Sequence, residues 1–165
     1  MDCIKAAIEK AGIDPKDLLG LGITSFGNGM TVVGENGEYI CPGAFSTDYR
    51  ADDCIEMIKK EGNYDKINAA TKGNLYSGEP GAIIRWLKEH EPETYAKIGH
   101  IFCFKDWLAF KLTGVAAADL NCIGGSALVD LDKMEYTQEI MDWYGIPEMF
   151  DKLPKLANDS SEAIG

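Results

Sequence analysis

The stretch Gly22 to Arg50, GITSFGNGMTVVGENGEYICPGAFSTDYR, decides how the chain is read. It holds two short apolar runs, a glycine-and-asparagine loop before the second, a hairpin signal, and a polar cluster, Ser46-Thr47-Asp48-Tyr49-Arg50. Leu18 to Ser25 reads as a buried strand, Met30 to Val33 as a second and Tyr39 to Cys41 as a third. Glu35-Asn36-Gly37-Glu38 is the turn between the last two, because Asn-Gly tolerates the positive φ values of tight hairpins. Asp48 and Arg50 are two apart, so an extended segment projects both from one side. A carboxylate accepts from hydroxyls and a guanidinium donates to oxygens. Beside a glycine-rich loop, the two suit a polyhydroxylated ligand. On the residues alone, a surface ion pair is the simpler reading of Asp48 and Arg50. A plain turn accounts for Gly27-Asn28-Gly29 as well as a ligand loop does.

Helices dominate the rest. Asp2 is placed to cap a helix to Ala11, with Ile4, Ala7 and Ile8 on one face and Gly12 as its stop. Helices are predicted over Cys54 to Lys60, Asn63 to Thr71, Gly81 to His90, Pro92 to Ile98, Lys105 to Leu112 and Thr137 to Tyr144. His100 to Phe104 is a short apolar strand, and Val115 to Asp119 and part of the tail from Asp151 are extended. Strands followed by many helices predict an α/β domain whose sheet is small for its helical content, as if part of it were missing.

At 165 residues the chain fits a single domain with a real core. Its 27 acidic residues outnumber 16 basic ones and give a net charge of −11. Nucleic acid and anionic membrane surfaces need clustered Lys and Arg, so both are excluded as partners. No apolar run approaches the roughly 20 residues that span a bilayer, and MDCIKAAIEKAG lacks the apolar centre of a signal peptide. The 5 cysteines are scattered without a CxxC pair, and His90 and His100 have no ligand-spaced partner. The spacing predicts neither a zinc site nor a disulfide framework, but small apolar cysteines in a reducing cytoplasm.

Four segments, in order, resemble the FGGY carbohydrate kinases, which phosphorylate sugars and polyols with ATP. LGITSFGNGMT (21–31) is similar to the family's strand and loop that reaches the sugar. ENGEYICPGAFSTDYRAD (35–52) resembles its hairpin and Trp-x-Asp-x-Arg element. IIRWLKEHEPETYAKIGHIFCFKDWLAFKLTG (83–114) resembles its helix pair, strand and Lys-Asp-Tyr/Trp-Leu helix. AADLNCIGGSALVDLDKMEYTQEIMDWYGIPEMFDKLPKL (117–156) resembles its Asp-x-Ser-x-Ala-Ser segment, a helix, a Gly-Ile turn and a Leu-Pro end. Ser46 stands where the family usually has Trp, and a Ser-x-Asp form resembles the branch acting on L-xylulose and related keto-sugars. Asp119 to Gly124 is a looser match.

The resemblance implies a partial ribonuclease H-like (actin-like ATPase) α/β domain lacking its first strands, with residues 1–165 as one piece of the sugar-binding domain. It implies that Asn28, Gly29, Asp48 and Arg50 contact a xylulose- or L-xylulose-like sugar. The catalytic Asp is expected beyond Gly165, and the chain is expected to carry no catalytic residue or metal ligand of its own. ATP and Mg2+ would serve the full-length enzyme, with none bound to this fragment, which would be inactive alone. No Gly-x-x-x-x-Gly-Lys-Ser/Thr phosphate loop occurs in the chain. Tyr76 reads as an ordinary loop tyrosine, Trp86 and Trp107 as core, and Lys105-Asp106 as a helix start. Two other readings stand beside the kinase: a non-catalytic sugar-binding module that self-associates as a homodimer through an exposed sheet edge, and an unrelated small α/β enzyme.

Overall fold

A computed structural model of the chain describes residues 2–157. The order is α1 (Asp2–Ala11), β1 (Met30–Val33), α2 (Asp52–Lys60), α3 (Tyr64–Thr71), α4 (Pro80–His90), α5 (Pro92–Tyr95), β2 (His100–Cys103), α6 (Phe104–Thr113), β3 (Ala117–Asp119), α7 (Leu120–Ile123), α8 (Gln138–Tyr144) and β4 (Lys155–Ala157). The predicted α/β character and the small sheet both hold. β1 runs antiparallel to β2, Met30 opposite Cys103 and Val33 opposite His100. β3 runs parallel to β4. These are two separate two-stranded sheets.

Two predicted strands do not form. Leu18 to Ser25 is irregular, and Leu18, Leu19 and Leu21 are exposed. A strand is held by hydrogen bonds to a neighbour, and among the described residues this stretch pairs with none. Tyr39 to Cys41 keeps a single bridge, Val33 to Tyr39. Pro42, which has no N–H to donate, closes the run. The turn between β1 and Tyr39 forms as read: the Gly34 N–H donates to the Glu38 carbonyl at 3.0 Å, and Gly37 takes φ 74°. The real partner of β1, β2, lies far along the chain and is invisible to local pattern. Of the tail, Lys155–Ala157 is extended as β4, and the remainder lies outside the described residues.

α1 stops at Gly12 (φ 66°) as expected, but none of its residues is buried. The core gathers instead around α4, in which Pro80 to Arg85 and Leu87 are all buried. Pro80 sits at the first turn, where its missing N–H costs nothing. Ile58 from α2, Ile67 from α3, and Ile140 and Tyr144 from α8 are fully buried in the same cluster. Tyr144 reaches this position because Gly81 has no side chain: a Cβ there would lie 2.4 Å from the ring's Cζ. The Tyr144 hydroxyl donates to the Ala127 carbonyl at 3.2 Å. Arg85 Nη1 donates to the Tyr144 carbonyl at 3.0 Å, and Lys88 Nζ to the Gly145 carbonyl at 2.8 Å. Two cations on α4 thus cap the carboxyl end of α8, where the helix dipole favours positive charge.

The Gly81 contact is testable. Gly81→Ala normally gains helix propensity, but here the new methyl meets a buried ring. We expect a net loss of about 1–3 kcal/mol in urea unfolding; a stabilised variant would refute the packing.

Candidate functional site

Asn28 adopts φ 57°, the left-handed region that asparagine tolerates better than most residues. This conformation turns the loop between Ser25 and β1 so that the Asn28 amide faces the segment before α4. Its Nδ2 lies 3.4 Å from Tyr76 Oη and 3.5 Å from Glu79 Oε1. Both distances are long for hydrogen bonds, so neither oxygen is fully engaged. On its other side, a Cβ added to Gly125 would lie 3.3 Å from Asn28 Oδ1. Gly29 packs closely on Phe26 and Phe104, and an added Cβ would sit 2.2 Å from a Phe26 ring carbon. Phe26, Phe45 and Phe104 form a small aromatic wall beneath the loop, with centroids 4.9 to 5.8 Å apart; Phe45 stacks on both neighbours and Phe26 meets Phe104 at a tilt.

Asp48 and Arg50 meet, though not as neighbours on an extended strand. The segment is a turn, with the Asp48 N–H donating to the Phe45 carbonyl at 3.0 Å. Asp48 Oδ1 accepts from the Arg50 backbone N–H and from Nε, each at 3.0 Å, and Oδ2 lies 2.9 Å from Arg50 Nη2. An aspartate that accepts from the N–H two residues on is a common turn device. Burial pushes the Asp48 carboxyl up, but the Arg50 hydrogen bonds and charge outweigh it and hold the group below its usual range. Nε also reaches Oδ2 at 3.0 Å, so Arg50 contacts both oxygens twice. An ionised carboxylate has about four acceptor positions, and an incoming hydroxyl must share an oxygen with Arg50. Arg50 is itself held: its guanidinium carbon lies 5.1 Å from the Trp86 ring centroid. Trp86 is half-buried against the core and also stacks on His90 at 4.9 Å. Its role is therefore wider than the core position read from sequence.

The two groups adjoin at Gly78. A Cβ there would lie 2.2 Å from the Ser46 carbonyl oxygen, so the turn bearing Asp48 rests on the loop bearing Tyr76 and Glu79. Glu79 is the site residue that sequence reasoning missed. It occupies the N-cap of α4 but makes no capping hydrogen bond, and Oε2 is buried without a partner. Glutamate is a poor cap compared with Ser, Thr, Asp or Asn. A Glu directly before Pro80 and an apolar helix was the available signal. A shallow cavity of about 500 Å3 opens elsewhere, between Glu35, Tyr95, Lys97, Glu148 and Lys152, and holds none of these residues.

The whole chain, residues 1–165, matches the family model described as the FGGY family of carbohydrate kinases, N-terminal domain. It is 33% identical over 165 residues to the L-xylulose/3-keto-L-gulonate kinase of Escherichia coli K12, covering 100% of this chain and 33% of that protein. It is 31% identical to a probable L-xylulose kinase of Pasteurella multocida, over 92% of this chain and 31% of that one. Among solved structures, a xyloylose kinase from Brucella ovis superposes with TM-score 0.81 at 22% identity, over 99% of this chain and 32% of its own. The xylulose kinase of Bifidobacterium adolescentis gives 0.77 at 18% identity, over 94% of this chain and 38% of its own. The fold is thus that of the actin-like ATPase kinases, and the chain spans about a third of the length of the curated relatives it matches.

The buried Glu79 sets a pH dependence. Burial pushes its carboxyl from 4.5 up to about 8, so the folded chain keeps a proton that the unfolded chain sheds. Stability is therefore full at low pH, falls as pH rises from about 4.5 to about 8, and is flat above. The slope from this group reaches at most about 1.4 kcal/mol per pH unit. Glu79→Gln should remove that fall when urea unfolding is compared below, within and above the window. A pH profile unchanged by the substitution would contradict the assignment.

Proposed function

Because the chain belongs to the FGGY family of carbohydrate kinases, we propose that it is the sugar-holding part of a cytoplasmic, ATP-dependent kinase acting on a xylulose- or L-xylulose-like keto-sugar. The observation that carries this reading is the polar surface joined at Gly78, with Asn28, Tyr76 and Glu79 on one side and Asp48 with Arg50 on the other. The relatives' names, kinases of L-xylulose, support the substrate class.

In this reading Asp48 accepts hydrogen bonds from sugar hydroxyls, and Arg50, braced by Trp86, fixes the carboxylate's direction. Asn28 offers an amide whose present contacts are long, and Gly29 lets the loop pack closely on the aromatic wall. Burial keeps Glu79 largely protonated near neutrality, so it donates an O–H to a sugar oxygen as well as accepting. ATP supplies the phosphoryl group, with Mg2+ neutralising its charge. Asp48 and Arg50 contribute by holding the acceptor hydroxyl in place, which is most of what phosphoryl transfer asks of a protein. No catalytic residue is assigned within the chain.

The test uses a longer protein that carries this chain together with the remaining length of its relatives. Asp48→Asn should lower kcat/KM for L-xylulose by about 10- to 100-fold, as expected for a lost hydrogen bond to a charged group. Unchanged kinetics would refute the role of Asp48.

The exposed stretch Leu18 to Ser25 favours a second reading, self-association of the isolated chain through unpaired backbone. A dimer mass by light scattering is the expected result, and a strict monomer at high concentration refutes it.

A further inference from the structure

The sequence spacing predicts no metal site, yet the fold brings two distant cysteines together. Cys103 closes β2 and is the N-cap of α6. Cys122 comes from α7, and Asp106 from the first turn of α6. Their two sulfurs and a carboxylate oxygen of Asp106 all lie within 4.8 Å of one another. Asp106 is 2% exposed. Its Oδ1 takes Lys105 Nζ at 2.8 Å and the Asp119 N–H at 3.4 Å, while Oδ2 is buried with no partner. A buried acceptor left unmade costs free energy, and Asp106 Oδ2 is such an acceptor beside the sulfur pair, the mark of an incomplete site.

We propose that Cys103, Cys122 and Asp106 bind one thiophilic divalent cation of the zinc class. Two sulfurs and one carboxylate form a donor set such ions accept. Each thiol gives its proton to solvent on binding, and a water entering past the half-buried Cys122 completes a four-coordinate shell. Lys105 does not compete for the site, because its ammonium is already shared between Asp106 Oδ1 and Asp119 Oδ2, at 2.8 and 3.2 Å. The ion would tie the end of β2 and the start of α6 to α7, and so join the two small sheets. This site is separate from the sugar surface and does not depend on that reading. A second trio, Asp53, Cys54 and His90, also lies within 4.8 Å, but there His90 Nε2 is engaged by Asp53 at 3.1 Å and no orphaned oxygen adjoins it.

The experiment titrates the reduced full chain with Cd2+ or Zn2+ alone, following the cadmium–thiolate charge-transfer band and the melting temperature. One equivalent should bind and raise the melting temperature. Cys122→Ser and Asp106→Asn should each weaken binding by at least about tenfold, and Cys54→Ser should leave it unchanged. Cys122 is half-buried, so its serine variant tests the site with little change of packing. In the unmutated chain, Zn2+ should shield Cys103 and Cys122 from alkylation while Cys3, which is exposed, stays reactive. Absence of binding, binding that survives Cys122→Ser, loss with Cys54→Ser, or a Cys103–Cys122 disulfide in place of metal uptake would each overturn the proposal.

Discussion

Tyr144 can pack on α4 only because position 81 has no side chain, and the rest of the structure hangs from that contact. It brings α8 against α4, and Arg85 and Lys88 then close the end of α8 from the same helix. With α4 held along one face, its start and the residues along it become fixed points. The N-terminal end carries Glu79 and, just before it, the close approach of Gly78 to Ser46. Further along the helix Trp86 supports Arg50 with its ring and stacks on His90, the helix's last residue. One buried helix thus positions both halves of the candidate site, and neither half lies on a strand.

The fold's outline was legible where signals are local. Pro80 and Pro92 mark helix starts, Gly114 and Gly145 mark helix ends with φ 74°, and apolar spacing marks the faces between. Pairing was not legible. β1 finds β2 across the helices between them, and the apolar letters of Leu18 to Ser25 carry no statement of whether a partner is present. Tyr39 to Cys41 read as a strand by composition, yet Pro42 leaves it one bridge. Resemblance of ordered motifs to a family succeeded where local pattern failed, because order along a chain survives substitution of individual residues. In the site, Asp48 and Arg50 were legible through charge and spacing, though a turn rather than a strand joins them. Glu79 was hidden because a lone Glu before a helix reads as a dipole-friendly charge. Only burial reveals it as a protonated acid that makes no cap.

Buried polar atoms left without partners include one at each of the two proposed sites. Glu79, with Oε2 unpartnered, adjoins the Asn28 loop, and Asp106, with Oδ2 unpartnered, adjoins the paired sulfurs. Each costs stability of about 1–3 kcal/mol while unmatched. The acids respond to their settings in opposite directions. Asp48, charged and paired with Arg50, is held low, while Glu79, with no cation beside it, is pushed up by burial. The candidate surface therefore combines a fixed acceptor with a group that can also donate, a pairing suited to hydroxyls, which do both.

The most direct test is a crystal structure of a longer protein containing this chain with L-xylulose bound. The expected result is sugar hydroxyls within hydrogen-bonding distance of Asp48 and of the Asn28–Glu79 pair, with Arg50 still on Trp86. A sugar bound with no contact to Asp48, Asn28 or Glu79, or seated in the cavity between Glu35 and Lys152, would contradict the proposed role of this surface.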